Sequence, residues 1–278
     1  MGEDKTNMKD SLIFALFGNP VRQSLSPRMH NQALRILGIN GHYIPVLVND
    51  LAGAVAAIRA LNSRGVSVTI PFKEAVLPLL DEIDDDARHI GSVNTIVNDG
   101  KKLKGFNTDW KGVEAALNKK MQIAGKTFVL IGAGGTTRAA VYAVKKNGGE
   151  AIVSSRNREK GRALAAEFDS DWVSLADISQ IEGDCLINTT PLGMTPDVEE
   201  MPVPERFIQR FNYVMDAVYN PPETLLLQKA GETGAVAISG VEMFVAQGGE
   251  QLRLWTDMEP PLRSMKAVVL SVLKKRVR

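Results

Sequence analysis

A single cysteine, Cys185, stands among the 278 residues, which rules out an intramolecular disulfide framework and suits a reducing compartment. Histidine is almost as scarce. His30, His42 and His89 are scattered, with no companion cysteines or carboxylates at metal-ligand spacing, so no metal is expected. No apolar run reaches the length of a membrane span, and Met1-Gly-Glu-Asp-Lys-Thr6 lacks the apolar core of a signal peptide. The expectation is a cytoplasmic protein with no membrane partner. Neither charge sign dominates: 33 Lys and Arg face 32 Asp and Glu, which gives no reason to expect nucleic acid. The remaining partner class is a small molecule. Cys185 lies inside Asp184-Cys-Leu-Ile-Asn188 and reads as a buried strand residue, while Asp81–Asp86 and the closing Lys274–Arg278 read as solvated helix ends.

What the chain does have is glycine at one decisive turn. Thr127-Phe-Val-Leu-Ile-Gly132-Ala133-Gly134-Gly135-Thr136-Thr137-Arg138 passes from a β-branched run through glycines into a helical pattern. Gly132 allows a tight turn, Gly134 lets backbone approach a pyrophosphate, and the next helix offers its N–H groups and dipole to phosphate. Thr137 replaces the third glycine of the usual spacing. About twenty residues on, Ala151-Ile-Val-Ser-Ser155 ends at Arg156, where an NAD site would carry an acid for the ribose 2′-hydroxyl. A guanidinium there, with Arg158 and Lys160 behind it, suits a 2′-phosphate, so the cofactor expected is NADP. The candidate contacts are Gly132, Ala133, Gly134, Gly135, Thr136, Ser155, Arg156, Asn157 and Gly240.

Apolar runs alternate with helical patterns from Leu12 to Val97, which predicts βαβ units. Leu12–Phe17, Tyr43–Val48 and Val66–Ile70 read as strands; helices are expected from Pro27, near Asp50–Ser63 and across Lys73–Ile90. Ser26-Pro27 has the form of an N-cap followed by proline at the first helical position. Val93–Val97 and Leu103–Phe106 form a predicted hairpin across Asn98-Asp-Gly-Lys. Later strands are expected at Ala151–Ser155, Cys185–Thr189, Tyr213–Val218 and Ala235–Ser239, and terminal helices at Glu242–Trp255 and Leu262–Val277. The predicted fold is two-domain α/β. Residues 1–110 would form a substrate domain, completed by 241–278, whose helices return to it, and 111–240 a Rossmann-type NADP-binding domain. Trp110, Trp172 and Trp255 are read as packing residues.

Five separated stretches carry a resemblance: Gly18-Asn-Pro20 with Ser24-Leu-Ser26-Pro27; Val68-Thr69-Ile-Pro71-Phe-Lys73; Gly91-Ser-Val-Asn94-Thr95; Asn107-Thr108-Asp109; and Met243-Phe-Val-Ala-Gln247. With Gly132–Arg138 and Asn188–Met194, they make the chain similar to the shikimate dehydrogenase family. The resemblance implies reversible NADP-dependent reduction of 3-dehydroshikimate to shikimate, in a monomer or homodimer. It implies that Ser24 and Ser26 hold the substrate carboxylate, joined by Tyr219, that Thr69 lies beside the ring, and that Asn94, Asp109 and Gln247 hold ring hydroxyls. The ketone oxygen needs a proton donor within hydrogen-bond reach. Lys73 and Asp109 are the catalytic candidates, and either can be the formal acid. A helix start at Lys73 would tune the ammonium through its dipole.

Three positions depart from the family pattern: Ser67 stands in place of Asn, Trp110 in place of Gly and Ser155 in place of Asn. They leave the proposed catalytic groups in place. A quinate-type enzyme using NAD would carry an acid where Arg156 stands, and a folate-linked dehydrogenase would not require Ser24-Leu-Ser26 or Asn107-Thr108-Asp109. A non-catalytic NADP-binding regulator would be signalled by loss of Lys73 or Asp109, and both are present.

Overall fold

Strand and helix alternate through a computed structural model that describes residues 11–276. The Met1–Thr6 segment and the last two residues of the basic C-terminal run lie outside the described residues. The first part runs β1 (Leu12–Gly18), α1 (Ser26–Ile36), β2 (Gly41–Leu47), α2 (Leu51–Ala60), β3 (Gly65–Val68), β4 (Glu82–Ile83), α3 (Asp85–Ile90), β5 (Thr95–Asn98) and β6 (Leu103–Phe106). Its sheet has the order β2-β1-β3-β5-β6-β4, parallel through β2, β1 and β3, with β5 antiparallel to both β3 and β6.

The second part runs α4 (Asp109–Asn118), β7 (Thr127–Ile131), α5 (Gly135–Lys146), β8 (Glu150–Ser155), α6 (Arg158–Glu167), β9 (Asp171–Ser174), β10 (Cys185–Asn188), α7 (Glu205–Ile208), β11 (Tyr213–Asp216), α8 (Leu225–Glu232) and β12 (Val236–Ile238). Its sheet is wholly parallel in the order β12-β11-β10-β7-β8-β9. The order reverses between β7 and β10, the switch point at which such sheets take ligands. Two last helices, α9 (Gly240–Thr256) and α10 (Leu262–Arg276), carry the chain back to the first sheet.

Both sheets are covered on both faces, so alternate residues of a central strand feed different cores. In β1, Phe14 and Leu16 join Met29 of α1, Trp255 of α9 and Leu273 of α10, while Ala15 and Phe17 join Val55 and Ile58 of α2. In β7, Phe128 and Leu130 pack with Val141 and Val144 of α5, while Val129 and Ile131 pack with Leu226 and Leu227 of α8. The indole of Trp255 donates to Ile96 O at 3.0 Å, which pins α9 to β5. The lobes are joined by α4 and α9: a Cβ on Gly112 would lie 2.7 Å from Met243 O, so only glycine permits that approach.

Three sequence expectations are corrected. Ser26 is not an N-cap: it is the first residue of α1, the cap position is Leu25, and no side chain caps the helix. No α-helix begins at Lys73. Turns lead there into a short 3-10 segment at Leu77–Leu79, with Pro78 inside it, and only Asp85–Ile90 is α-helical. The dipole argument for Lys73 goes with that helix. The Asp81–Asp86 run is not simply a solvated helix start either, since Asp81 accepts from Leu103 N and Arg59, Asp84 caps α3, and Asp86 binds Tyr142 and Lys146 of α5.

Candidate active site

Strand direction gathers the site. Parallel β1 and β3 end at Gly18 and Val68, β5 begins at Thr95 antiparallel to β3, and β6 ends at Phe106, so four connections emerge at one sheet edge. Those connections carry Ser24 and Ser26, Thr69 and Lys73, Asn94, and Thr108 and Asp109. Two of them are tied directly, Asn19 N donating to Ile70 O at 3.0 Å. A Cβ on Gly18 would sit 2.3 Å from Thr69 Cγ2, so glycine there lets Thr69 pack in.

At the centre, Lys73 Nζ lies 2.6 Å from Asp109 Oδ2, with side-chain exposures of 14% and 7%. An ion pair so shielded needs its other valences filled. Asp109 Oδ1 accepts from Asn94 Nδ2 at 2.8 Å, and the Asp109 backbone N–H donates to Asn107 Oδ1 at 3.0 Å. Asn94 Oδ1 accepts from Thr108 N and Thr95 Oγ1, both at 2.7 Å, which fixes which way the amide faces. Gln247 of α9 completes the cluster, its Oε1 3.4 Å from Asn94 Nδ2 and its Nε2 donating to Phe244 O at 2.8 Å. The sequence-predicted Lys73, Asn94, Asp109 and Gln247 are therefore brought together.

A second polar group sits on the loop after β1. Ser24 Oγ donates to Ser26 Oγ and accepts from Ser26 N, each at 3.2 Å. Tyr219 approaches this loop from the other lobe: its hydroxyl accepts from Leu25 N at 3.5 Å and its ring stacks on Phe244, centroids 4.0 Å apart. Among the described residues, neither serine is hydrogen-bonded to Lys73 or Asp109.

The glycine turn faces the ion pair from the second lobe, with Thr136 Oγ1 3.4 Å from Lys73 Nζ. Gly132 has φ +137°, and a Cβ on it would meet Thr189 and Thr137 hydroxyls at 2.5 and 2.6 Å. Thr137, in place of the third glycine, accepts from Gly134 N at 3.2 Å and bonds Thr189 Oγ1 at 2.7 Å, tying turn to strand end. A Cβ on Gly134 would meet nothing within 4 Å, whereas one on Gly135 would lie 2.8 Å from Ser92 Oγ and 3.3 Å from the Lys73 stem. The space beside Gly134 and the first N–H groups of the twelve-residue α5 fit a diphosphate. Arg156 is exposed at the end of β8 beside Arg158 and Lys160, and forms no ion pair with the described residues. Ser155 and Asn157 are engaged within the protein: Ser155 Oγ donates to Asn157 O and accepts from Trp172 Nε1, and Asn157 caps α6. Gly240 is held by packing, since a Cβ would meet Val218 O at 2.4 Å.

Sequence reasoning missed Tyr43 and Gln251 and left the part played by Ser67 open. Ser67 Oγ accepts from Tyr43 Oη at 2.7 Å and donates to Gln251 Oε1 at 2.9 Å, an internal link in place of the family's asparagine. Gln251 lies four residues after Gln247 on α9, a spacing that puts both amides on one helix face and was the available signal. Trp110 packs edge-on against Tyr142 at 5.5 Å, as expected of a packing residue. The described residues hold no cluster of three or more metal-ligating side chains, and no helix among them is long and apolar enough to cross a membrane.

Fold and site together define a two-lobed α/β dehydrogenase architecture, with a dinucleotide-type parallel sheet set against a lobe that bears a lysine–aspartate pair. Residues 16–96 match the shikimate dehydrogenase substrate binding domain and residues 240–270 the shikimate 5'-dehydrogenase C-terminal domain. A shikimate dehydrogenase (NADP(+)) of Pyrococcus furiosus is 41% identical over 96% of this chain and 98% of its own. The crystal structure of the Thermus thermophilus shikimate 5-dehydrogenase in complex with NADP(H) and shikimate superposes with TM-score 0.87 at 34% identity, covering 94% of this chain and 100% of that one. A quinate dehydrogenase from Corynebacterium glutamicum in complex with NAD gives TM-score 0.87 at 29% identity, over 94% and 99%. The chain belongs to the shikimate dehydrogenase family.

Proposed function

We propose that this protein catalyses the reversible NADP-dependent reduction of 3-dehydroshikimate to shikimate, a step in aromatic amino-acid biosynthesis, as a cytoplasmic monomer or homodimer. The observation that carries the reading is the shielded contact between Lys73 and Asp109 at 2.6 Å, facing the start of α5. Residues 1–110 with 241–278 act as the substrate domain and 111–240 as the NADP domain.

The nicotinamide, when bound, supplies or takes the hydride; the residues of the chain do the rest. Ser24, Ser26 and Tyr219 bind the carboxylate, and Thr69 lines the ring. Asn94, Asp109 and Gln247 hold the ring hydroxyls, so an analogue lacking one leaves a buried polar group unpaired. The Lys73–Asp109 pair exchanges the proton at the carbonyl oxygen, with Asn94 keeping the second carboxylate oxygen of Asp109 occupied. Gly132, Ala133, Gly134, Gly135 and Thr136 take the diphosphate. Arg156 grips the 2′-phosphate as a planar guanidinium, with Ser155 and Asn157 shaping that loop and Gly240 the floor.

The deciding assay follows the absorbance of reduced nicotinamide with purified protein, shikimate or quinate, and NADP or NAD. The proposal expects shikimate with NADP to dominate. Turnover of quinate with NAD as the preferred pair would replace it by the quinate-type reading, and absence of turnover with every pair would replace it by a non-catalytic NADP-binding role.

A further inference from the structure

One face of α5, the helix whose first N–H groups fit the diphosphate, is fastened to the substrate lobe from end to end. Gly135, Arg138, Tyr142 and Lys146 follow one another at steps of three, four and four residues, which places them on one side of the helix. That side meets α3 and the loop after it. A Cβ on Gly135 would lie 2.8 Å from Ser92 Oγ, and one on Gly91 would lie 2.6 Å from the Arg138 guanidinium. Arg138 Nε donates to Ile90 O, the Tyr142 hydroxyl donates to Asp86 Oδ1 at 2.5 Å, and Lys146 Nζ donates to the same oxygen at 2.6 Å.

The two ends of this seam are unequal. At the end nearest the chemistry, Ser92 Oγ is buried without a hydrogen-bond partner, and Thr136 Oγ1 lies 3.4 Å from Lys73 Nζ. An unmatched buried hydroxyl opposes the contact, because parting the lobes would return it to water. At the far end, about 16 Å further along the helix, a single carboxylate takes two donors from α5, one of them charged. Burial works against the charge on Asp86, yet Lys146 and Tyr142 outweigh it and hold the carboxyl below its ordinary range. Trp110, at the start of α4, backs this end: its ring meets Tyr142 edge-on at 5.5 Å and lies 4.5 Å from Lys146 Nζ. The contact that draws the lobes together is thus remote from both ligand sites, and the contact beside them is the weaker one.

We propose that Asp86, Tyr142 and Lys146 form a clasp between the lobes and are positioning residues of the reaction. They hold α5, and the nucleotide seated at its start, against the lobe that carries Lys73 and Asp109. This rests on the proposed function, in which a hydride passes between ligands held by different lobes. None of the three touches either ligand in that reading. Each lobe keeps its own binding groups when the clasp opens, so what falls is the fraction of complexes in which the two ligands meet. Trp110 supports the clasp, which gives the tryptophan in place of glycine a physical reason.

The test compares Asp86→Ala, Tyr142→Phe, Lys146→Met, Lys146→Arg and the double variant Asp86→Ala with Lys146→Met against the unaltered enzyme. It measures the first-turnover rate of NADP reduction at saturating shikimate by stopped-flow absorbance, the Kd for NADP alone, and the melting temperature. The hydride step is followed directly because a looser clasp can speed product release and mask its loss in kcat. The expected result is a transfer rate lowered about threefold to tenfold in Asp86→Ala, and less in Tyr142→Phe and Lys146→Met, with the Kd for NADP unmoved. Lys146→Arg, which keeps the charge, should restore most of what Lys146→Met loses. The double variant should lose no more than Asp86→Ala, since both changes open one contact. A structural role alone would lower the melting temperature and leave the transfer rate as it was. An unchanged or faster transfer in Asp86→Ala overturns the inference, as does a rise in the Kd for NADP that accounts for the loss, or a loss in Lys146→Met that arginine fails to reverse. Should Asp86→Ala not fold, Tyr142→Phe and the lysine pair decide alone. An unaltered enzyme without shikimate turnover overturns the proposed function and the inference together, whereas normal turnover with no effect of these variants overturns only the inference.

Discussion

The two lobes meet at one cleft but are prepared for their ligands in opposite ways. In the first, Lys73, Asn94, Asp109 and Gln247 are shielded and already bonded to one another. In the second, Gly134 opens onto empty space and Arg156 extends from a strand end without an ion-pair partner among the described residues. The difference fits the ligands proposed. A small polyhydroxylated acid is discriminated by groups whose valences are counted in advance, so that a missing hydroxyl leaves one unpaired. A dinucleotide brings its own charge, and the protein needs only a helix start and a guanidinium at the right separation.

The comparison breaks most visibly at Lys73. Lys73→Ala is expected to lower kcat by about a hundredfold or more, the usual scale of a positioned proton-transfer group, with a modest change in the shikimate KM. It also strips Asp109 of its ion-pair partner while leaving the Asn94 contact. Asp109→Asn should damage both kcat and KM. Steady-state kinetics checks each, and a near-normal kcat in Lys73→Ala at every pH would leave Asp109 or a water as the proton carrier.

The open lobe should answer differently. Arg156→Ala removes a charge-assisted contact worth about 1.5–3 kcal/mol, so the KM for NADP should rise roughly tenfold to a hundredfold while that for NAD hardly moves. Shikimate kinetics at saturating NADP should stay intact. Equal losses with both nucleotides would place the 2′-phosphate elsewhere.

These contrasts were partly written in the sequence. The parallel second sheet was legible because strands covered on both faces read as unbroken apolar runs, as in Phe128–Ile131. Edge strand β9 escaped: Asp171-Trp-Val-Ser174 is short and only partly buried, and leaves little periodicity to read. The helix expected at Lys73 failed because an apolar run broken by Pro78 satisfies a helical period without forming one. The site residues were legible through the resemblance rather than through spacing. Asn94 and Gln247 are 153 positions apart, and only strand direction and the return of α9 bring them together. For the same reason Gln251 went unread, its partners Ser67 and Asn94 lying far away along the chain.

A third test uses two buried titratable groups, one in each lobe. His30, stacked on Tyr43 at 4.4 Å, is pushed down to about 3 by burial, only partly offset by Gln251. Asp216 at the end of β11 is pushed up to about 6, again by burial, against the hydrogen bonds it accepts from Thr224, Val218 N and Asn188. The signs oppose. Below its ordinary value of 6.5 the unfolded histidine takes a proton that the folded one refuses, so stability falls from there toward about 3. The folded aspartic acid keeps its proton up to about 6 while the unfolded one loses it above 3.8, so its contribution is present in acid and is lost as pH rises through about 6. The full spans are worth on the order of 5 kcal/mol for His30 and 3 kcal/mol for Asp216. His30→Leu should flatten the acid loss and Asp216→Asn should steepen it, read from urea unfolding at about pH 4.5 and about pH 7.5. Parallel pH curves for the two variants would contradict both assignments.

The smallest effect separates two residues that sequence alone would treat alike. Ser26 before proline and Asn157 before Arg158 both look like N-caps, yet only Asn157 is one, its side chain accepting from Lys160 N at 2.9 Å. Ser26 lies one residue inside α1, with its hydroxyl accepting from Ser24. Asn157→Ala should therefore cost about 0.5–2 kcal/mol of stability, the range for losing a cap. Ser26→Ala should cost at most about 0.5 kcal/mol, because a single 3.2 Å contact between two serine hydroxyls contributes at the low end for a hydrogen bond. Its consequence belongs instead to the carboxylate end of the proposed substrate, as a raised shikimate KM that Ser24→Ala shares and Asn157→Ala does not. Equal destabilisation by Ser26→Ala and Asn157→Ala in urea would restore Ser26 as a cap. It would also remove the clearest case in which the substrate lobe leaves a helix start without a side-chain cap and engages the serine there with another hydroxyl instead.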